Sequence, residues 1–368
     1  MRSLIPFAFT LLLALYCFQS IAQQGVINNQ SNIYITNGTG LYVNGTGADL
    51  HNNSTSVIEA NGTIDIDGDF NNSGTTNLNG STFNIGGDWT NGGTFSEGTS
   101  TVHFNGGVSQ HVDHNGAAFY NISVSTGGGN ALELNSAFEV KNLMTLLSGM
   151  VYTNGDTIIL DSLAMFTGEA NGQFIAGFVA ALCNVTGATA DDFGNVGVTI
   201  TPAGQNLGET WVLRVTGLNA QDTSYAVNPS DNNKKSIDRI FHIFPTTQPS
   251  GDITLTLEWL SDNDNGLASF SDAQVWKSND GTTWVAVGPQ QDASSRTISV
   301  ATDALSSWTV SNAANPLDDT PPTTICQDAT LQLSTTGNAT LTTGDIDNGS
   351  SDASGIASMS LSQTSFNC

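Results

Sequence analysis

Basic residues are scarce in this chain. Only 8 of the 368 residues are Lys or Arg, against 33 Asp and Glu, and the formal net charge is −25. After Arg2, no basic residue occurs before Lys141, and Lys234, Lys235 and Arg239 form the one basic cluster, which we assign to a solvated turn and strand face. Phosphate binding needs clustered Lys and Arg, so the composition argues against a nucleic-acid partner. With 38% hydrophobic and 11% charged residues, an ordinary α/β enzyme is also disfavoured.

Cysteine is scarce as well, with 4 in the chain and no pair at the close spacing of a zinc site. Cys17 lies in the apolar leader described below, and Cys183 ends an apolar run that we expect to be a buried strand. Cys326 and Cys368 flank the last segment. An oxidising compartment permits a disulfide between them, which would contribute roughly 4 kcal/mol by closing a long loop.

Long hydrophobic runs are absent after the first residues. The most apolar later run, residues 174–183, is shorter than the ~20 residues that a transmembrane helix needs, so we predict no transmembrane segment.

The first 22 residues have the pattern of a secretory signal peptide. Arg2 supplies the positive end, residues 4–18 form the apolar region, and the small residues at 20–22 predict cleavage after Ala22. A lipoprotein signal at Cys17 is the competing interpretation, but the bulky Tyr16 stands where a small residue is expected. We therefore predict a secreted protein, extracellular or at the outer-membrane surface.

Residues 23–183 consist of short alternating apolar pieces separated by Asn, Gly, Thr and Ser. This pattern is typical of short strands joined by tight turns. Residues 66–75 align with residues 85–94, a displacement of 85 − 66 = 19 residues. A repeat of about 20 residues matches one coil of a β-solenoid. Disorder is the alternative, but aromatic residues recur throughout the stretch, which disordered chains lack.

The composition changes at residue 184. Residues 184–314 contain longer strands between turn clusters and predict an antiparallel β-sandwich, and the proline-containing residues 315–322 predict an extended linker. Residues 323–368 hold too few strands for a complete domain, so we interpret them as the start of one in a fragment of a longer protein. The predicted fold is all-β: a right-handed β-solenoid or β-helix, an antiparallel β-sandwich and an incomplete Ig-like domain.

Calcium is the metal that the sequence best supports. Asp262 and Asp264 lie in an Asn- and Gly-rich turn, and Asp345 and Asp347 precede Gly349. Carboxylates on loops are suitable calcium ligands, and extracellular calcium sites can be weak. The spacing does not match an EF-hand, however, and ordinary Asx-rich turns account for the same residues. We predict no cofactor and leave calcium open.

A second metal set is less favoured. His103, His111, Asp113 and His114 include good zinc or copper ligands, but adjacent residues of a strand face opposite sides. We therefore expect these side chains to be solvated polar positions rather than a metal centre.

Two groups of carboxylates could serve a glycoside hydrolase. They are Asp65, Asp67 and Asp69, and the adjacent Asp191 and Asp192. Alternating Asp residues on one strand all face the same way, which fits an acidic outer stripe better than an acid and base in different environments. The sequence therefore predicts a protein that is not an enzyme.

Three stretches resemble the large multidomain surface proteins exported by Bacteroidetes. Stalk repeats of such proteins are similar to residues 87–95, 98–106 and 119–124. Their β-sandwich modules resemble residues 237–243, 276, 280–284 and 305–310. The tail is similar to the opening half of an HYR-type immunoglobulin-like repeat, over residues 321–328, 337–341, 345–352 and 364–368.

Ser354 stands where HYR-type repeats often carry a Cys, so the disulfide pattern that the resemblance implies is incomplete. The resemblance implies an adhesin-like role, and a C-terminal sorting domain in the full-length protein. We expect an exported protein with a structural and adhesive role that binds extracellular glycan or protein ligands. The alternative is a polysaccharide-active β-helix enzyme or a carbohydrate-binding accessory module.

Overall fold

A computed structural model describes residues 25–217, 235–317, 322–352, 356 and 358–367. The protein is nearly all β, with 51% strand and 2% helix, which confirms the predicted fold class. The predicted signal peptide, residues 1–22, lies outside the described residues, as do residues 318–321 of the predicted linker.

The first part of the chain is a β-solenoid of about 7 turns. Its strands, in chain order, are β1 Val26–Asn28, β2 Asn32–Ile35, β3 Gly40–Val43, β4 Leu50–Asn52, β5 Val57–Ala60, β6 Thr63–Ile66, β7 Phe70–Asn72, β8 Thr75–Asn77, β9 Thr82–Ile85, β10 Trp89–Asn91, β11 Thr94–Ser96, β12 Thr101–Phe104, β13 Gln110–Asp113, β14 Ala118–Ser125, β15 Ala131–Leu134, β16 Phe138–Ser148, β17 Met150–Leu160, β18 Met165–Thr167 and β19 Ile175–Thr186.

Strands of successive turns pair in parallel and form three ladders. One ladder runs β1-β4-β7-β10-β13-β15-β17-β19, the second β3-β6-β9-β12-β14-β16-β18, and the third β2-β5-β8-β11. The predicted displacement of 19 residues is the observed register, because Ile66 pairs with Ile85 and Phe70 pairs with Trp89. The two aligned segments therefore lie one turn apart. Other turns differ in length, since Val26 pairs with Leu50 (50 − 26 = 24) and Leu50 with Phe70 (70 − 50 = 20).

Alternate residues of each strand point into the solenoid, where aromatic rings stack from turn to turn. The ring centroids of Phe70 and Trp89 are 4.5 Å apart, those of Phe70 and Phe83 are 4.9 Å apart, and both Phe rings are fully buried. Tilted and edge-to-face packing at these distances stabilises aromatic pairs beyond the burial of their surface. The recurring aromatics that argued against disorder thus fill the core.

A second inward row consists of asparagines. The Nδ2 atom of Asn28 donates to Oδ1 of Asn52 (2.8 Å), Asn52 donates to Asn72 (2.8 Å), and Asn72 donates to Asn91 (2.7 Å). All four side chains are buried. Each donor also bonds a backbone carbonyl of the following turn, so the ladder ties neighbouring turns together.

The solenoid continues directly into antiparallel sheets. Strand β19 pairs in parallel with β17 and antiparallel with β21, and that sheet extends through β22, β27, β24 and β25, while β20, β23 and β26 form a separate three-stranded sheet. These strands are β20 Val198–Thr201, β21 Asn206–Thr216, β22 Arg239–Pro245, β23 Ile253–Glu258, β24 Ala273–Ser278, β25 Val285–Gln291, β26 Thr297–Thr302 and β27 Ser307–Asn312. Buried residues of both sheets belong to the same hydrophobic core as the solenoid interior. A sandwich arrangement stays a prediction.

The tail contains the short helix α1, Thr343–Ile346, and two strands, β28 Asn338–Thr340 and β29 Ser365–Asn367, which pair antiparallel. Its Ig-like character stays a prediction. Among the described residues, no helix is long and apolar enough to cross a membrane.

Candidate functional site

The carboxylates of Asp67 and Asp69 build the corners of the solenoid. An Oδ2 atom of Asp67 accepts from the backbone N–H of Gly45 (2.7 Å), and Oδ1 of Asp69 accepts from that of Asp88 (2.8 Å). Only Asp65 lies on strand β6. The expected stripe of three carboxylates on one strand is therefore wrong, because the chain turns a corner after β6.

The same corner bond recurs in successive turns. Asp49 accepts from the backbone N–H of Asp69 (2.9 Å), and Asp88 accepts from that of His111 (2.7 Å). These carboxylates satisfy backbone donors that the corners leave without a strand partner. Their role is structural.

The histidines do not converge on one point. His103 lies on β12 in the second ladder, whereas His111 and Asp113 lie on β13 in the first. The Nδ1 atom of His111 is 3.3 Å from Oδ1 of Asp88. Across residues 25–217 and the other described segments, no group of three or more His, Cys, Asp or Glu is placed to hold a metal ion.

His114 was expected to be solvated, but this is wrong, because it is fully buried. Its Nδ1 accepts from the indole N–H of Trp89 (3.0 Å), so the imidazole proton is on Nε2, which donates to the carbonyl of Ala118 (3.2 Å). The ring stacks on Phe119 at 3.9 Å. Burial lowers the pKa of His114 to about 4, so it is neutral at pH 7.

Asp262 and Asp264 share a turn but bond to different partners. The carboxylate of Asp264 accepts from the indole N–H of Trp259 (2.9 Å) and pairs with the guanidinium of Arg296 (2.7 Å). That of Asp262 accepts from the backbone N–H of Gly172 (2.6 Å). These bonds connect the turn to the segments that contain Gly172 and Arg296. Calcium binding at the turn stays a prediction.

Asp345 and Asp347 also bond locally. Asp345 accepts from the backbone N–H and the hydroxyl of Thr342 (2.8 and 2.7 Å), which is a capping box at the start of α1. Asp347 accepts from the backbone N–H of Ser350 (3.0 Å). These hydrogen bonds lower the pKa of both carboxyl groups. A calcium site here likewise stays a prediction.

The structure also describes two of the cysteines and the adjacent carboxylates Asp191 and Asp192. Cys326 is exposed, and Cys368 lies outside the described residues, so their disulfide stays a prediction. Burial raises the pKa of the Cys183 thiol to about 11, and the thiol is therefore protonated at neutral pH. Burial, and then the charge of Asp192, raises the pKa of Asp191.

An ion cluster joins the end of the solenoid to the antiparallel sheet. Glu169, which follows β18, forms two hydrogen bonds of 2.8 Å with Arg214 of β21 and one of 3.1 Å with Arg239 of β22. The side chains of Arg214, Arg239 and Glu169 are 0%, 3% and 13% exposed. The expectation that Arg239 is solvated is therefore wrong, and Lys234 lies outside the described residues.

The charge of Glu169 is held by its two arginine partners. Burial by itself raises the pKa of Glu169, but the positive charges of Arg214 and Arg239 outweigh it and hold that pKa below its ordinary value. Burial lowers the pKa of Arg239 to about 10, which still leaves it charged at neutral pH. A cavity of about 410 Å³ adjoins Glu169 and Arg239. The cluster fits a structural tie between two parts of the chain.

A neutral groove crosses the first turns of the solenoid at the corner between β2 and β3. Its volume is about 500 Å³. Its lining contains hydroxyls, amides, glycines and one aromatic ring, and no charged side chain: Asn37, Gly38, Thr39, Gly40, Tyr42, Asn61, Gly62, Thr63, Gly80 and Thr82.

Tyr42 forms one wall of the groove. Its ring lies over Gly40, where a Cβ atom would overlap the ring, so the glycine allows this position of the ring. The side chain is 61% exposed. Gly40, Thr63 and Thr82 pair in register on successive turns. Along the outer surface, Gly40, which has no side chain, therefore lies next to the hydroxyl of Thr63, and that of Thr82 comes one turn later.

No known family, curated protein or solved structure matches this chain.

Two features were missed by the sequence analysis. Glu169 carries no motif, and its partners Arg214 and Arg239 follow it by 45 and 70 residues. Tyr42 was identified only as part of an alternating strand. The glycine two positions before it, on an outward-facing position, is the signal that could have indicated an open surface around the ring.

Proposed function

We propose that this is an exported, non-enzymatic surface protein with a structural and adhesive role, which binds extracellular glycan or protein ligands. The observation that carries the proposal is the stack of about 7 solenoid turns, tied by the buried asparagine ladder and aromatic core. Such a stack holds an outer surface at a fixed distance from its attachment point. Repeated weak contacts along it raise the effective concentration of the ligand.

A polysaccharide-active enzyme is the second candidate. The adjacent carboxyl groups of Asp191 and Asp192 favour it, because glycoside hydrolysis uses a pair of carboxyl groups, and burial raises the pKa of Asp191.

One experiment separates the two candidates. The chain of 368 residues is tested on a glycan array and on immobilised extracellular matrix, with a parallel assay for new reducing ends. Retention without product supports the adhesive role. Product that disappears in Asp191→Asn or Asp192→Asn, but persists in the exposed control Asp252→Asn, overturns it in favour of the enzyme.

A further inference from the structure

We propose that the groove beside Tyr42 binds a neutral oligosaccharide. The inference depends on the proposed adhesive function, because it assigns a ligand class to one part of the outer surface.

The groove is open at two glycines of its lining. No heavy atom lies within 4 Å of the position that a Cβ atom would take at Gly38, and at Gly80 the nearest is the hydroxyl of Thr99 at 3.6 Å, whereas the Tyr42 ring covers Gly40 and the backbone of Thr39 covers Gly62. Its volume of about 500 Å³ is in the range of pockets that hold small organic ligands, roughly 300–1,000 Å³. A sugar ring can therefore approach the backbone closely.

The lining matches the two kinds of surface that a sugar presents. A sugar ring has an apolar face of C–H groups, which can pack on the exposed ring of Tyr42. Its hydroxyls both donate and accept hydrogen bonds, as do the hydroxyls and amides that surround the groove. Asn37, Thr39 and Asn61 are exposed at its rim and supply both kinds of group.

Charge selects a neutral ligand. The protein carries a net charge of −25, yet no side chain that lines the groove is charged. Asp65 pairs with Tyr42 in register on the next turn, so an anionic sugar would meet a carboxylate beside the ring. Like charges that face each other weaken binding, and no cation here offsets them among the described lining residues.

The test compares two tyrosines of the same solenoid turn. Tyr42→Ala removes the wall of the groove, whereas Tyr34→Ala removes a ring that is 67% exposed on β2 and lies outside the groove. Titration calorimetry of the full chain uses neutral oligosaccharides of glucose, xylose, mannose and galactose, and a uronic-acid oligosaccharide. We expect binding of at least one neutral oligosaccharide, weakened about tenfold or more by Tyr42→Ala and less than about twofold by Tyr34→Ala.

A third variant is needed if Tyr42→Ala lowers the melting midpoint, because weaker binding could then result from lost stability. Gly40→Ala keeps the tyrosine but displaces its ring, and it should weaken the same oligosaccharide. Unchanged affinity in both groove variants, binding of the uronic-acid oligosaccharide alone, or no sugar binding overturns the inference. If both groove variants keep their affinity, the adhesive function still stands but its ligand binds at a different site. Cleavage of a polysaccharide would instead overturn the adhesive function itself.

Discussion

At the scale of single residues, the environment decides what a titratable side chain does. His114 and His111 are three positions apart, yet one accepts a bond from Trp89 in the core while the other faces Asp88 at the surface. Strand alternation accounts for this difference, since neighbouring strand residues face opposite sides. The sequence predicted the alternation but assigned His114 to the solvated side.

His114 should make stability depend on pH. Its ordinary pKa is 6.5, and burial lowers it to about 4 in the folded protein. As the pH falls below 6.5, the unfolded chain binds a proton that folded His114 does not, so the free energy of unfolding decreases. Between pH 7 and pH 5 the loss should be about 2 kcal/mol from this residue.

The measurement is urea unfolding at pH 7 and pH 5 with two matched variants. His114→Gln, whose amide oxygen can accept from Trp89, should lose less stability on acidification than the unsubstituted protein. His51→Gln, on the outer side of β4, should keep the full loss. Burial also lowers the pKa of His103 and His242, but they contribute equally to all three proteins. An equal loss in His114→Gln would contradict the prediction.

At the scale of elements, the solenoid turns are linked by repeated side-chain bonds. Asn72 takes part in three of them: it donates to Asn91 (2.7 Å) and to the carbonyl of Thr94 (3.1 Å), and accepts from Asn52 (2.8 Å). It also accepts from Thr76 (3.0 Å) within its own turn. A buried polar group that loses its partner costs more than the bond itself contributes. Substitution of an asparagine in the middle of the ladder should therefore destabilise the solenoid.

Asn72→Ala should lower the free energy of unfolding by about 2–4 kcal/mol, because it leaves buried groups of the ladder without partners. Asn71→Ala is the control, since Asn71 lies on the same strand with its side chain on the outer face, and it should change stability by less than about 0.5 kcal/mol. Thermal melts followed by circular dichroism compare the two. Similar losses in both variants would show that the ladder contributes little.

At the scale of the whole molecule, the solenoid and the antiparallel sheets are joined by backbone and by charge. Strand β19 belongs to both, and Glu169 binds two arginines of β21 and β22. Removal of one partner from a buried ion cluster leaves uncompensated charge, and this costs more than the loss of an exposed pair.

Glu169→Gln should therefore lower the free energy of unfolding by about 3–5 kcal/mol. The control is Glu139→Gln, which removes one partner of Lys141 from a pair whose side chains are 32% and 33% exposed, and it should cost about 1 kcal/mol or less. Urea unfolding at constant ionic strength measures both. A smaller loss in Glu169→Gln than in Glu139→Gln would contradict the proposed tie.

The sequence by itself determined the all-β class, the solenoid and the 19-residue displacement between two of its turns, because period-two alternation and repetition are local properties of the chain. Only the tertiary structure decided which polar side chains form the bonds that hold the fold together. Whether Asp67 builds a corner, or Glu169 meets Arg214 and Arg239, depends on segments brought together by the winding of the turns and the pairing of β19 with β21. The groove has the same origin, since Tyr42, Asn61 and Thr82 become neighbours only when successive turns stack.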